Sequence, residues 1–162
     1  MVVGFTGGRP KRFPWKDNEQ DNRCIDLKAK LKNELIKLIS FGADKFICGM
    51  AMGADTYFAE IIIELKAEFN IQLIAALSCS RQPMLWKEKE KKRFYNIINY
   101  CDNSYVPYIN HVEGCEKLRN YYIVDNCDLL IAIDSGIKAS GTAQTIAYAK
   151  KTGKKIITFF PY

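Results

Sequence analysis

The sequence lacks a long apolar run, a Cys-x-x-Cys motif and, apart from His111, any histidine. No apolar stretch approaches the roughly 18 residues of a membrane span, and the short apolar run at residues 2–6 leads directly into polar glycine residues, which argues against a signal peptide. We therefore expect a cytoplasmic protein without a membrane partner. The six cysteines are scattered, so we expect free and mostly buried thiols. With one histidine and no paired ligand spacing, we expect no metal and no cofactor.

The composition is that of an ordinary globular protein. The chain has 162 residues, of which 48% are hydrophobic and 26% are charged, so we expect one domain that spans residues 1–162. The formal net charge of +6 suits an anionic partner. The lysines are dispersed through amphipathic segments and form no basic tail, which argues against a nucleic-acid partner and favours a small anionic ligand.

The chain alternates short β-branched or aromatic runs with longer segments of helical period, which is typical of a parallel sheet with crossover helices. We predict strands at residues 2–6, 45–48, 71–77, 104–106, 129–134 and 156–160. We predict helices at residues 24–41, 54–65, 82–100, 113–126 and 142–151. The predicted fold class is α/β, a Rossmann-like, doubly wound and mainly parallel sheet with helices on both faces.

Three predicted strands end in small or glycine-rich residues, and open α/β sheets bind ligands at such ends. Glycine lets backbone amides approach an anion, and Arg9 offers a planar fork for phosphate. A helix that begins after such a loop adds unpaired amides and a partial positive charge. The candidate ligand-binding residues are Thr6, Gly7, Gly8, Arg9 and Pro10 after the first strand, Gly49, Met50, Ala51, Met52, Gly53 and Asp55 after the second, and Asp134, Ser135, Gly136, Ser140, Gly141 and Thr142 after the fifth.

No loop carries a catalytic signature. The glycines are followed by no Gly-Lys-Ser/Thr and form no GxGxxG fingerprint, so neither ATP hydrolysis nor hydride transfer is supported. His111 has no identifiable partner and is interpreted as a surface residue. Asp125, Asp128 and Asp134 flank one strand without a clear acid and base pair. We assign no catalytic residue.

Five motifs occur in an order that resembles a known family. They are residues 4–10, residues 49–55, Gln82 with Trp86, Arg119-Asn120, and residues 127–132 before Ser140-Gly141-Thr142. Together they resemble the YpsA-like branch of the SLOG superfamily over nearly the whole chain. The resemblance implies a Rossmann-like fold related to the lysine-decarboxylase-like LOG enzymes and to DprA proteins. It also implies that the glycine loops, with Arg119 and Asn120, bind a nucleotide-derived ligand.

Two positions depart from the pattern that the resemblance implies. Gly8 stands where this branch usually has a histidine, so no imidazole acts at that position. Thr145 stands where the LOG enzymes carry their catalytic glutamate, and a threonine cannot replace that carboxylate. Glycosidic cleavage of the LOG type is therefore disfavoured.

Three functional hypotheses follow. The leading one is a non-catalytic module that senses or sequesters a nucleotide-derived molecule, such as an ADP-ribose-like or cyclic nucleotide signal. The alternatives are an enzyme that cleaves a nucleotide with Asp55 or Asp134 as acid or base, and a nucleic-acid or protein interaction module that uses the charged segment 87–93. Asp55 has a simpler interpretation as a complement to the helix dipole.

The role of the Gln82 and Trp86 pair is left open by the sequence. An indole one helical turn from an amide suits base stacking, but Trp86 also fits the apolar stripe of its own helix.

We expect a homo-oligomer, since related folds commonly pair through helices.

Overall fold

The computed structural model describes residues 1–162, which form a six-stranded parallel sheet flanked by five helices. All five strand pairings are parallel. The elements in chain order are β1 (Val2–Gly7), α1 (Asn22–Ser40), β2 (Lys45–Cys48), α2 (Ala54–Leu65), β3 (Gln72–Ala76), α3 (Glu88–Ile98), β4 (Asn103–Tyr105), α4 (Cys115–Asp125), β5 (Leu129–Ile133), α5 (Gly141–Lys151) and β6 (Lys155–Phe159), with a single 3-10 turn at Pro10–Arg12.

The strand order is β4-β3-β2-β1-β5-β6, so β1 lies inside the sheet. The chain builds outward from β1 to β4 and then returns to place β5 on the other side of β1. The order therefore reverses between β1 and β5, and open α/β sheets bind ligands at the carboxyl ends of strands at such a reversal.

The helices cover both faces of the sheet because both faces are apolar, as expected of a parallel sheet. Val3 and Phe5 of β1 face the larger core, which also contains the buried residues of α1, α2 and α3. Ile123 of α4 and Ala149 of α5 belong to a smaller core on the other face, with Leu130 of β5. The predicted fold class is confirmed.

Three predicted helix starts differ from the structure by two residues or more, each for an identifiable reason. Helix α1 begins two residues before the predicted start because the Asp21 side chain accepts a hydrogen bond from the Arg23 amide and caps the helix. Helix α3 begins only at Glu88, because residues 79–86 form consecutive turns around Pro83. Helix α4 begins at Cys115, after Gly114 has turned the chain with φ of +77°.

None of the five helices is both long and apolar enough to cross a membrane.

The aromatic stack beneath β1 supports a first prediction about stability. Phe58 has no exposed surface, and its ring centroid lies 4.3 Å from that of Phe5. Phe58→Ala should lower the free energy of unfolding by about 3–5 kcal/mol, because the substitution leaves a cavity that the packed core cannot fill. Urea denaturation at neutral pH measures this change.

Phe41→Ala is the matched control, because 72% of the Phe41 surface is exposed. Its unfolding free energy should change by less than about 0.5 kcal/mol. Equal losses in the two variants would contradict the assignment of the core.

Candidate functional site

A cavity of about 940 Å³ opens at the carboxyl edge of the sheet, where the strand order reverses. Thr6 and Gly7 at the end of β1, Ala51 after β2 and Ser135 after β5 all line it. This volume lies near the upper end of the range that small-molecule sites occupy.

Close backbone packing of two glycine loops forms the base of the cavity. A Cβ atom on Gly7 would lie 2.3 Å from the Cβ atom of Ala54, and one on Gly53 would lie 2.7 Å from the carbonyl oxygen of Gly8. The Ala54 amide donates a 3.1 Å hydrogen bond to that same oxygen. Glycine is therefore required at residues 7 and 53, and it brings the first turn of α2 directly against the end of β1.

Residues 8–21, which connect β1 to α1, form one wall of the cavity. Phe13 and Trp15 anchor this wall, since both are buried and their rings stack at 4.9 Å. The basic residues before and after these two rings remain at least partly exposed. Arg9, Lys11, Arg12 and Lys16 of this wall line the cavity.

An ion-pair network fixes the far end of the same wall. Arg93 of α3 donates hydrogen bonds to Glu19 at 2.5 and 2.9 Å and to Glu60 of α2 at 2.7 and 2.8 Å. Lys28 pairs with Glu19 at 2.6 Å. Burial opposes ionisation of Glu19, but the hydrogen bonds from Arg93 and Lys28 outweigh it and lower its pKa to about 2.

Arg119 of α4 lies 4% exposed at the inner end of the cavity. Its guanidinium donates hydrogen bonds to the carbonyl oxygens of Gly49 and, at 3.3 Å, Ala76, and its Nε donates to Asn120 Oδ1 at 2.8 Å. A Cβ atom on Gly49 would overlap the guanidinium, so glycine is required there. Burial lowers the pKa of Arg119, whereas the charge of Asp55 opposes that shift.

Asp55 also lines the cavity, and its side chain is 6% exposed. Its Oδ2 atom accepts a 3.1 Å hydrogen bond from the Ala51 amide, which holds the turn before α2. Burial raises the pKa of Asp55, and the charge of Arg119 acts in the opposite direction. No ion pair within 4.0 Å joins the two residues.

The loop after β5 contributes hydroxyl groups to the cavity. Ser140 caps α5, because its Oγ accepts a 3.0 Å hydrogen bond from the Ala143 amide. The buried Oγ of Ser135 has no hydrogen-bond partner within the chain. Asp134 faces its own loop, where it accepts a 2.9 Å hydrogen bond from the Gly136 amide. Of the two carboxylates considered as acid or base, only Asp55 lines the cavity.

Thr145 does not line the cavity. It is 1% exposed, and its hydroxyl donates a 2.7 Å hydrogen bond to the Gly141 carbonyl oxygen within α5. The position where LOG enzymes carry a glutamate is thus occupied by a hydroxyl that bonds within its own helix.

The structure brings fifteen of the predicted ligand-binding residues to this one cavity. They are Thr6, Gly7, Gly8, Arg9, Pro10, Ala51, Met52, Asp55, Trp86, Arg119, Asn120, Ser135, Ser140, Gly141 and Thr142. Six others do not line it and support it or its loops instead: Gly49, Met50, Gly53, Gln82, Asp134 and Gly136.

The prediction that Gln82 and Trp86 lie one helical turn apart is wrong, because both lie in the turns before α3. The Gln82 amide points inward and donates hydrogen bonds to the carbonyl oxygens of Gly49 and Met50 at 2.9 and 3.1 Å. Trp86 is half-buried, contacts the Phe94 ring edge-on at 5.5 Å and still lines the cavity.

Sequence reasoning missed most of the basic side chains around the cavity. Seven basic and four acidic side chains line it. The basic ones are Arg9, Lys11, Arg12, Lys16, Lys87, Lys89 and Arg119. The acidic ones are Asp17, Asp55, Glu90 and Glu116. None of the seven forms an ion pair within 4.0 Å. The available signal was the presence of Arg9, Lys11, Arg12 and Lys16 within eight residues, whereas the position of this run beside the start of α3 is visible only in the fold.

Comparisons with known proteins agree with this geometry. A family model named YpsA and described as the YspA SLOG family matches residues 3–159. Proteins described as UPF0398 protein from Bacillus cereus and from Bacillus thuringiensis (strain Al Hakam) are each 24% identical over 157 residues, which cover 94% of this chain and 84% of the relative.

Two solved structures have a similar fold at 18% identity. TM1055, a structural genomics target, aligns with a TM-score of 0.56 over 96% of this chain and 71% of that one. DNA processing protein A from Helicobacter pylori, described as having a unique single-stranded DNA binding mode, aligns with a TM-score of 0.65 over 98% of this chain. This chain spans 64% of that protein, which is less than two thirds of its length.

The expectation that nucleic acid is not a partner is therefore corrected. A protein with this fold binds single-stranded DNA, so the fold is compatible with such a partner. The dispersal of lysines along the sequence was a poor guide, because residues 9–16 and residues 87–89 meet at one cavity.

The ion pairs of the cavity wall support a prediction about pH. Glu19→Gln should lower the free energy of unfolding at pH 7 by about 2 kcal/mol, the scale of hydrogen bonds to a charged group. A carboxyl group whose pKa falls on folding, here from 4.5 to about 2, stabilises the protein above pH 4.5 and loses that contribution as the pH falls toward 2. The difference between the two proteins should therefore shrink at pH 3, as urea denaturation at both pH values measures.

Glu68→Gln is the matched control, because Glu68 is exposed and forms no ion pair. It should change stability little at either pH. A difference for Glu19→Gln that stays constant between pH 7 and pH 3 would contradict the charge-based account of the wall.

Proposed function

The chain belongs to the YspA SLOG family, and from this premise we propose that it binds single-stranded nucleic acid at the cavity on the carboxyl edge of its sheet. Phosphates of the nucleic acid contact the basic side chains that line the cavity, and a base lies against the apolar side chains before α3. Residues 1–162 act as one binding domain in this proposal.

The observation that carries the proposal is the set of seven cavity-lining cations without an ion-pair partner. Elsewhere on the same elements, basic side chains do find acidic partners, as Arg93 does with Glu19 and Glu60. Unpaired cations from three separate segments, residues 9–16, residues 87–89 and Arg119 of α4, converge on one opening and provide a favourable potential for a phosphate backbone. Arg9 and Arg12 add planar groups that suit phosphate oxygens.

Apolar side chains beside the cations suit the bases of a strand. Trp86 is half-buried and lines the cavity, and the adjacent Leu85 lines it while 96% exposed. Proteins that bind single strands combine a positively charged groove with aromatic side chains on which bases stack. Every base has an aromatic face, so this arrangement favours binding with little sequence preference.

The similarity to DNA processing protein A supports the choice of a single strand as the partner. That protein is described as binding single-stranded DNA, and it has the same fold over 98% of this chain. The similarity extends over 64% of that protein, so the proposal concerns binding alone and not the remainder of that protein's activity.

A second candidate ligand is a nucleotide-derived small molecule, such as an ADP-ribose-like or cyclic nucleotide signal. One observation favours it: the buried Ser135 Oγ, which lines the cavity, has no hydrogen-bond partner in the chain. A small ligand that enters the cavity could satisfy that hydroxyl near the N-terminus of α5, where the helix dipole favours a phosphate.

Fluorescence anisotropy with a labelled oligothymidylate tests the leading proposal. Binding should weaken steeply with salt, with a slope of about −0.7 in log K against log salt concentration for each phosphate neutralised.

Arg9→Ala should weaken binding by about 1.5–3 kcal/mol, the scale of a charge-assisted hydrogen bond. The double variant Lys87→Gln, Lys89→Gln should weaken binding and flatten the salt slope.

The double variant Lys150→Gln, Lys151→Gln is the matched control. It removes the same net charge from exposed residues at the last turn of α5, which do not line the cavity. Binding should be nearly unchanged. Equal losses in the two double variants, or no binding at low salt, would overturn the proposal.

Thermal denaturation with mononucleotides, NAD, ADP-ribose and cyclic nucleotides distinguishes the second candidate. A ligand at about a hundredfold its dissociation constant adds about 2.7 kcal/mol to the unfolding free energy. The second candidate is supported if one of these compounds stabilises the protein, if Ser135→Ala loses that stabilisation, and if the oligothymidylate does not bind. These results would overturn the proposal of single-stranded nucleic acid as the partner.

A further inference from the structure

Three side chains of different chemistry lie together at the start of α4. His111, Cys115 and Glu116 each offer one ligand atom, and these atoms all lie within 4.8 Å of one another. His111 Nε2 is 3.2 Å from Glu116 Oε1, and Cys115 Sγ donates a 3.5 Å hydrogen bond to Glu116 Oε2. The glutamate thus bridges the imidazole and the thiol with its two oxygens.

The backbone brings these groups together through one tight turn. Gly114 has a left-handed conformation with φ of +77°, and nothing lies within 4 Å of the position that a Cβ atom would occupy. The Cys115 amide donates a 3.0 Å hydrogen bond to the Val112 carbonyl oxygen. His111 is folded back over the first turn of α4 as a result.

We propose that His111, Cys115 and Glu116 bind a divalent transition metal ion of the zinc class. Zinc in proteins takes thiolate, imidazole and carboxylate ligands at about 2.0–2.3 Å in tetrahedral geometry, which places neighbouring ligand atoms about 3.3–3.8 Å apart. The imidazole and the thiol lie 3.2 and 3.5 Å from different oxygens of Glu116. One ligand atom from each residue lies within 4.8 Å of the other two, so small side-chain rotations bring the three to that range. A thiolate ligand disfavours magnesium and calcium, which prefer oxygen.

The cluster is partly shielded from solvent. Glu116 is half-buried, whereas His111 lies at the surface. Cys115 has no exposed surface, so an ion between these groups is partly shielded from solvent.

The position of the cluster connects it to the cavity. Glu116 lines the cavity, one helical turn before Asn120 on α4. Three protein ligands leave the fourth position of a tetrahedral ion open, as in catalytic rather than structural zinc sites. An oxygen of a molecule in the cavity is of the right chemistry to take that position.

This inference does not depend on the proposed nucleic-acid binding, and it departs from the sequence-based expectation of no metal site. The spacing His-x-x-x-Cys-Glu is not a recognised metal pattern, and only the turn at Gly114 brings its three side chains together.

Titration of the purified protein with Co²⁺, followed by absorption spectroscopy, tests the proposal. One equivalent of Co²⁺ should produce a thiolate-to-metal charge-transfer band in the near ultraviolet, and Zn²⁺ should abolish it by displacing Co²⁺. Cys115→Ser should abolish the band. Cys101→Ser is the matched control and should retain it, because Cys101 lies beyond the end of α3, where its thiol donates a hydrogen bond to the Ile97 carbonyl oxygen.

His111→Gln provides a second test that does not disturb the core, since the side chain of His111 is 65% exposed. Loss of this ligand should weaken Co²⁺ binding by more than the roughly 10–100-fold that loss of an outer-shell partner costs. No charge-transfer band in the native protein would overturn the proposal. A band that persists in Cys115→Ser, or an affinity unchanged in His111→Gln, would overturn it as well.

Discussion

The cavity depends on close backbone contact between the end of β1 and the first turn of α2. The Cα atom of Gly7 packs where a Cβ atom would collide with the Ala54 side chain. The Gly8 carbonyl oxygen accepts a hydrogen bond from the amide of that same alanine. Gly53 faces the Gly8 carbonyl oxygen in turn. A side chain at residue 7 or 53 would separate these segments, and the other features of the site rely on their positions. The glycines thus serve mainly to join the loops, and apart from Arg9 and Asp55 the charged groups around the opening come from other segments.

Those charged groups are positioned by burial and by ion pairs some distance from the opening. Phe13 and Trp15 anchor the wall in the core, and Arg93 ties its far end to α2 and α3 through Glu19 and Glu60. Glu19 is engaged in this way and Asp21 pairs with Arg23, so Asp17 is the one acidic residue of the wall without an ion pair, beside the unpaired cations that line the cavity. The stability of the wall and the electrostatic potential of the cavity are therefore linked, because Arg93 fixes the position of the wall through ion pairs. Arg9 and Arg12 of the wall form no ion pair and can contact an anion.

Much of the fold could be predicted from the sequence, because strands with apolar residues on both faces and amphipathic helices have strong local patterns. The six strands and five helices were predicted close to their observed positions, and so were the glycine loops that meet at the cavity. The helix predicted at residues 82–100 was wrong over its first six residues, where Pro83 and the inward hydrogen bonds of Gln82 favour turns. The position of the basic wall beside α3 could not be predicted, because it depends on the contact between Glu19 and Arg93, which lie 74 residues apart.

The central claim is that the cavity on the carboxyl edge of the sheet holds the phosphate-bearing partner of this chain. Hydrogen exchange of the backbone amides, measured with and without saturating oligothymidylate, tests it most directly. The account predicts slower exchange in residues 7–16, 51–56 and 85–90, and unchanged exchange in β6 (Lys155–Phe159) at the edge of the sheet. Slower exchange confined to β6, or none at the cavity despite binding, would contradict it.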